Sequence, residues 1–134
     1  MASETVTSPA GAPSSSAILL IEPDQLIRRL IIEWLTSAGY AVRPGDLSDD
    51  ADAGDVDAII VDLYMPRESG ARIIHGVQQA YPGKPIIAMS AQFRPGLADS
   101  HAAARELGAC RLLPKPFSRT DLLDTVRAAI DHAE

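Results

Sequence analysis

Short apolar runs alternate with longer amphipathic stretches along most of the chain. The apolar runs predict strands at residues 17–21, 40–43, 57–61, 85–89 and 111–113. Three of these runs contain AILLI, AIIV and PIIAM, which are nearly continuous in apolar residues and typical of strands buried on both faces. Strands of this kind separated by helices predict an α/β fold, with a parallel sheet covered by helices on both sides.

The first amphipathic stretch, residues 24–37, predicts a helix. Arg28, Arg29 and Glu33 are predicted to face water, and Gly39 is predicted to end the helix. The apolar residues recur at helical spacing and form one face that is predicted to be buried: Ile27, Leu30, Ile31, Trp34 and Leu35.

Two later stretches, residues 71–80 and 119–132, have the same helical periodicity. Pro82 and Gly83 are predicted to end the first of these helices, and Ser118 to cap the start of the second. The residues predicted to be buried on them are Ile73 or Ile74, Val77, Leu122, Leu123, Val126 and Ile130.

Length and composition fit one globular domain. The chain has 134 residues, of which 46% are hydrophobic and 22% charged, and this is enough to bury a single core. Residues 1–16 are rich in Ser, Ala, Pro and Thr, so they predict a flexible tail, with the domain at residues 17–134.

Charge, cysteine content and hydropathy argue against several classes of protein. The net charge of −6 and the lack of a basic stripe argue against a nucleic acid as partner. Cys110 is the single cysteine, so no intramolecular disulfide can form and a cytoplasmic location is expected. No uncharged run approaches the roughly 18 residues of a membrane span, so no membrane association is expected.

Polar residues follow the predicted strands and are expected to meet at one edge of the sheet. Glu22 and Asp24 follow the first strand, Asp62 the third, Ser90 the fourth and Lys115 the fifth. In open parallel sheets, reactive groups gather at the carboxyl ends of the strands, near the point where strand order reverses.

This set of residues suggests phosphoryl chemistry. Two carboxylates in one crevice repel each other unless a divalent cation or an ammonium group lies between them, and a hard, oxygen-liganded Mg²⁺ is a natural candidate. A lysine at the same place would neutralise a phosphoryl group, and a carboxylate is an established covalent acceptor for one.

The strings ILLIEPDQLIRRL, IIVDLYMPRESG, IIAMSA and LLPKPF, in this order and spacing, resemble the signatures of response-regulator receiver domains. The resemblance covers the chain from Ala17 to its end and is that of the stand-alone, single-domain type. It implies a flavodoxin-like (βα)5 fold, a doubly wound parallel sheet of five strands in the order 2-1-3-4-5. It also implies an aspartyl-phosphate switch driven by a sensor histidine kinase or a phosphotransfer protein.

The resemblance assigns a role to each matching residue. Asp62 would accept the phosphoryl group and bind the metal, and the backbone carbonyl of Tyr64 would be a second metal ligand. Ser90 and Lys115 would each contact a phosphoryl oxygen, and the bond from Lys115 to Pro116 would be cis. The face formed by residues 95–134 would dock a downstream protein target.

Three departures from the family pattern affect these expectations. Pro23 replaces the acidic residue that usually contacts the metal, so Mg²⁺ affinity is in question. Asp24 could take over as a ligand or could simply cap the first helix, and Glu22 could instead reach the metal. Leu112 replaces an aromatic switch residue, and the acidic segment 47–55 predicts a shortened second helix.

Two functions remain open from the sequence. The first is a phosphorylatable signalling module, favoured because Asp62, Ser90 and Lys115 are all present. The second is a pseudo-receiver that binds partner proteins without phosphorylation, suggested by Pro23 and Leu112. An enzyme is not expected, because a phosphatase with an aspartate nucleophile needs an acid two residues later, where this chain has Tyr64.

Overall fold

The computed structural model describes residues 16–45, 56–63, 67–90 and 111–131, with the backbone alone at residues 67–71. In chain order its elements are β1 (Ala17–Ile21), α1 (Gln25–Ser37), β2 (Ala41–Pro44), β3 (Ala58–Asp62), α2 (Arg67–Ala80), β4 (Ile86–Ser90), β5 (Arg111–Pro114) and α3 (Arg119–Asp131).

Several predicted features lie outside the described residues. They are the tail up to residue 15, the acidic segment 47–55 with its shortened helix, and the segment 95–107. Ser16, predicted to be the last residue of the tail, accepts a 2.9 Å hydrogen bond from the backbone N–H of Ala41. β1 itself begins at Ala17, as predicted.

The described strands form a single parallel sheet in the order β2-β1-β3-β4-β5. This confirms the predicted order. Strand order reverses between β1 and β3. The chain first runs from β1 to β2 at one edge of the sheet, and then crosses back to form β3 on the other side of β1. The carboxyl ends of β1 and β3 therefore border a crevice, which is the place where such sheets bind ligands.

Each face of the sheet has its own hydrophobic core, because successive strand residues point to opposite faces. Leu19, Ile59 and Val61 pack with Ile74 and Val77 of α2. The residues between them in the strands pack on the other face, with side chains from α1 and α3: Ile18, Leu20, Ile60, Ile31, Leu35, Leu122 and Val126. Each large aliphatic side chain buried in this way stabilises the fold by roughly 1.5–3 kcal/mol.

The element boundaries differ from the predictions by small shifts that matter for function. β3 and β4 extend through Asp62 and Ser90, so both residues end strands instead of following them. Hydrogen bonding to neighbouring strands continues there, although the side chains are polar. α2 begins at Arg67, earlier than the predicted residue 71, so Gly70 lies within the helix despite its low intrinsic propensity.

Side-chain caps fix where α1 and α3 begin. Asp24 Oδ1 accepts hydrogen bonds from the backbone N–H groups of Leu26 (2.9 Å) and Ile27 (3.1 Å). Ser118 Oγ accepts from Asp121 N (3.0 Å), and Asp121 Oδ2 accepts from Ser118 N (3.1 Å), which is a reciprocal capping box. The predicted cap at Ser118 is confirmed.

Two predictions about the faces of α1 are wrong. Leu30 was predicted to be buried but is 43% exposed, and the neighbouring Leu26 is 75% exposed. Arg28 was predicted to face water but is half-buried. The buried side of α1 is narrower than the periodicity suggested, and Ile31 and Leu35 are its fully buried residues.

Candidate functional site

Asp62 and Lys115 meet at the carboxyl edge of the sheet. Asp62 follows Ile60 by two residues and so lies on the same face of β3, the one covered by α1 and α3. The Lys115 Nζ lies 2.7 Å from Asp62 Oδ1, and the Asp62 side chain is 6% exposed. A buried carboxylate is thus paired with an ammonium group from the loop that follows β5.

Glu22 shares the same ammonium group. Its Oε1 lies 3.3 Å from Lys115 Nζ, and its Oε2 accepts a 3.1 Å hydrogen bond from the backbone N–H of Asp24. Glu22 is 2% exposed. The carboxylates of Glu22 and Asp62 therefore converge on one cation, in the crevice that the topology predicts.

Ser90 ends the neighbouring strand and is 2% exposed. Its backbone carbonyl accepts a 3.0 Å hydrogen bond from Lys115 N, which ties the lysine-bearing loop to the end of β4. The peptide bond between Lys115 and Pro116 is cis, as predicted. The structure thus brings Asp62, Ser90 and Lys115 to the same edge of the sheet.

Burial and charge shift the pKa values of two site residues. Burial raises the pKa of Glu22 above its usual range, and the nearby negative charge of Asp62 adds to this, against the opposing effects of the Asp24 N–H and Lys115. Burial alone would lower the pKa of Lys115, but its hydrogen bonds and charge interactions with Asp62 and Glu22 outweigh burial and raise that pKa. Lys115 therefore carries a positive charge at neutral pH.

The residues that follow β1 contribute unequally to the site. Pro23 has no carboxylate to offer. Asp24 uses Oδ1 to cap α1, so the capping role that the sequence left open is the one observed. Its role as a metal ligand stays a prediction.

The donor set fits a hard cation such as Mg²⁺ only in part. Asp62 and Glu22 supply buried carboxylate oxygens, the kind of donor that Mg²⁺ prefers, although the point on which both converge is Lys115 Nζ. In the described part of the chain, no group of three or more His, Cys, Asp or Glu side chains could hold a metal. The predicted carbonyl ligand of Tyr64 lies outside the described residues. Two carboxylates are compatible with an ion that keeps several of its waters.

Arg28 is a residue near the site that the sequence reasoning missed. Its Nη1 donates a 3.0 Å hydrogen bond to the backbone carbonyl of Glu22. Helical periodicity placed Arg28 in water, and a backbone acceptor leaves no signature in the sequence. Only the fold reveals this contact.

An apolar groove adjoins the site between α1 and the loop after β5. Its volume is about 330 Å³, and its walls include Leu30, Trp34, Phe117 and the Lys115 side chain. The rings of Trp34 and Phe117 meet edge to face, with centroids 6.4 Å apart. Leu112, at the predicted switch position, is partly buried against the core beneath α2.

No helix in the described ranges is both long enough and apolar enough to cross a membrane.

Comparison with known proteins identifies the relatives of this chain. Residues 18–127 match the family described as the response regulator receiver domain. The DNA-binding transcriptional regulator NtrC of Rhizobium meliloti (strain 1021) is 32% identical over 123 residues, which is 87% of this chain and 24% of that protein. The chain spans between 24% and 50% of the length of the curated relatives it matches.

Solved structures agree with this comparison. The chemotaxis response regulator CheY4 of Vibrio cholerae superimposes with a TM-score of 0.65 at 24% identity, over 86% of this chain and 98% of that one. The receiver domain of the sensor histidine kinase PA1611 from Pseudomonas aeruginosa PAO1 has a TM-score of 0.64 at 25% identity, over 87% and 98% of the two chains. That structure contains a magnesium ion coordinated in the active-site cleft.

Proposed function

This chain belongs to the response-regulator receiver domain family, and on that premise we propose that it accepts a phosphoryl group on Asp62. The donor would be a sensor histidine kinase or a phosphotransfer protein, and this chain would act in the cytoplasm. The phosphorylated domain would then signal by docking to another protein. Within the described part of residues 95–134, the docking face would consist of β5 and α3.

The observation that carries this proposal is the 2.7 Å contact between Lys115 Nζ and Asp62 Oδ1. A nearly buried carboxylate next to a fixed ammonium group is preorganised for a phosphoryl group, whose transfer depends on positioning and charge neutralisation. Ser90 ends the adjacent strand, and its hydroxyl would contact another phosphoryl oxygen.

In the proposed reaction a carboxylate oxygen of Asp62 attacks the phosphorus atom. The new bond joins that oxygen to phosphorus, and the bond from phosphorus to the donor nitrogen or oxygen breaks. The leaving group keeps the electron pair and takes up a proton. Lys115 and Ser90 hold the transferred oxygens. When bound by Asp62, Glu22 and the Tyr64 carbonyl, Mg²⁺ would supply additional neutralisation of negative charge.

A phosphorylation-independent pseudo-receiver is the second candidate function. It is favoured by Pro23, which offers no carboxylate to a metal, and by Leu112, which stands where the family usually carries an aromatic switch residue. A domain of this kind would act as an adaptor that binds partner proteins in one state only.

Acetyl phosphate with millimolar MgCl₂ separates the two candidates. Intact-mass spectrometry is expected to show one added phosphoryl group on the wild type and none on Asp62→Asn. Asp57→Asn is a matched control, because Asp57 lies just before β3, at the opposite end of the strand, and its carboxylate binds Ala17 N there. An unmodified wild type would reject the phosphorylation proposal and leave the adaptor.

The protein donor is proposed to approach along the apolar groove beside α1. Lys115 belongs both to the groove wall and to the ion pair with Asp62, so the groove is continuous with the acceptor site. Leu26 and Leu30 are exposed beside it, and they would contact a donor that delivers a phosphoryl group to this edge of the sheet.

A further inference from the structure

Arg28 and Arg29 are adjacent in α1, but their environments differ. The Arg28 guanidinium turns back to the end of β1, where Nη1 donates a 3.0 Å hydrogen bond to the Glu22 carbonyl oxygen, and the side chain is half-buried. Arg29 is exposed. The Arg28 guanidinium is therefore part of the contacts around Glu22, whereas the Arg29 side chain is exposed to water.

Glu22 is held at three separate points. Its Oε1 contacts Lys115, its Oε2 accepts from Asp24 N, and its backbone carbonyl accepts from Arg28. These partners come from the loop after β5, the N-cap of α1 and the first turn of α1. Both the backbone and the carboxylate of this buried residue are thereby fixed.

We propose that Arg28 is a positioning residue for phosphoryl acceptance. By holding the Glu22 carbonyl, it would keep the Glu22 carboxylate directed at Lys115 and so keep Lys115 directed at Asp62. The inference rests on the function proposed above and extends it to a residue outside the acceptor site itself.

The need for such an anchor follows from the residues at this bend. Glutamate has one more methylene than aspartate and therefore more side-chain conformations to lose when its carboxylate is fixed. Pro23, the next residue, has no N–H and no carboxylate with which to stabilise the bend. A hydrogen bond from Arg28 to the preceding carbonyl restricts the backbone from which the Glu22 side chain extends.

A double-mutant cycle tests whether Arg28 acts through Glu22. The variants are Arg28→Gln, Glu22→Gln and both together, with Arg29→Gln as the matched control. The rate of modification by acetyl phosphate with MgCl₂ is followed by intact mass. Each single change at the site is expected to slow modification on the order of tenfold, because small displacements of positioned groups are costly. The double variant is expected to be no slower than Glu22→Gln, and Arg29→Gln to match the wild type.

A purely structural role predicts a different pattern. Glu22→Gln keeps the backbone carbonyl that Arg28 binds, so the loss of stability caused by Arg28→Gln should be the same with or without the Glu22 charge. Independent, multiplicative effects on the rate would therefore overturn the proposal, and so would a wild-type rate in Arg28→Gln. If the Gln variant does not fold, Arg28→Lys replaces it. A rate below that of Arg29→Lys is then expected, and equal rates would overturn the proposal.

Calorimetric titration of the unphosphorylated variants with MgCl₂ separates this inference from the proposed function. If the wild type binds Mg²⁺ but takes no phosphoryl group, the proposed function fails. The same double-mutant cycle, with the Mg²⁺ dissociation constant as its readout, then decides the role of Arg28. Arg28→Gln is expected to weaken Mg²⁺ binding when Glu22 is present, but not in the Glu22→Gln variant. A wild type that neither binds Mg²⁺ nor is modified overturns both.

Discussion

The ammonium group of Lys115 lies 2.7 Å from the carboxylate of Asp62, although the two residues belong to strand ends that are not adjacent in the sheet. β4 separates them, and the side chain of Lys115 reaches past the end of that strand. The same nitrogen lies 3.3 Å from Glu22, so a single cation links the ends of β1, β3 and β5.

Replacing Lys115 with Met is expected to lower the free energy of unfolding by about 1–3 kcal/mol at pH 7, because two buried carboxylates lose the charged group that they contact. The pKa of Lys115 is raised in the folded state, so its stabilising contribution is complete at pH 7 and is lost only as the pH rises above 10.5. Urea unfolding measures the effect. The control is Lys84→Met, because Lys84 also precedes a proline. An equal loss of unfolding free energy in both variants would contradict the prediction.

Glu22→Gln is expected to make the metal-free protein more stable at pH 7. The pKa of Glu22 is raised on folding, so the folded state binds a proton more tightly than the unfolded state does, and stability falls as the pH rises from 4.5 through the folded value. Gln resembles the protonated form and avoids this loss.

The advantage of Glu22→Gln should therefore shrink as the pH is lowered towards 4.5. Urea unfolding in EDTA at several pH values measures this dependence. A stability difference that stays constant between neutral and acidic pH would show that ionisation of Glu22 is not its cause.

Pro23→Asp is expected to strengthen Mg²⁺ binding about tenfold or more, because affinity for hard cations rises with the number of carboxylate ligands. Pro23→Asn is the control, because it also removes the proline ring from the backbone but adds an uncharged amide oxygen in place of a carboxylate. Isothermal titration calorimetry compares the two variants. Equal dissociation constants would mean that a carboxylate at position 23 does not reach the ion.

Substitutions at Asp24 distinguish the helix cap from a metal ligand. Asp24→Ala is expected to cost about 1 kcal/mol of stability, whereas Asp24→Asn should cost little, because Asn caps helices as well as Asp does. If Asp24 only caps α1, the Mg²⁺ affinity of Asp24→Asn equals that of the wild type. A clear loss of affinity would make Asp24 a ligand in addition to its contacts with Leu26 and Ile27.

Leu26→Asp is expected to slow phosphorylation by protein donors on the order of tenfold, as the loss of a central contact does at other interfaces. The rate with acetyl phosphate should not change, because Leu26 is 75% exposed and makes no part of the acceptor site. A panel of phosphorylated phosphotransfer domains provides the measurement. Gln79→Asp, on the exposed side of α2, is the control and is expected to behave like the wild type.

The strand order could be predicted because the motifs resemble those of receiver domains. The edge at which Asp62, Ser90 and Lys115 meet could be predicted because alternating strands and helices indicate a parallel sheet, whose reactive groups gather at one edge. The strand ends were misplaced by one residue because a polar side chain does not reveal whether its backbone still pairs. Leu30 was wrongly predicted to be buried. Helical periodicity indicates which side of the helix a residue lies on, but it does not show whether a neighbouring element extends far enough to cover that residue.

The partners of individual polar atoms could not be predicted from the sequence. Glu22 was named as a candidate ligand, but its sharing of Lys115 with Asp62 depends on the length of two side chains and on the path of the loop after β5. The contact from Arg28 to the Glu22 carbonyl depends on the angle at which α1 leaves the sheet. Such angles are set by packing of the whole core.

The edge-to-face pair of Trp34 and Phe117 gives this molecule a natural optical probe. Trp34 is the only tryptophan in the chain, and Phe117 lies two residues beyond Lys115. A change in the lysine loop alters the surroundings of a single indole, so ultraviolet emission from the unlabelled protein can be followed while ligands are added. Rapid mixing would then give the kinetics of the site in real time, without a dye or an engineered reporter.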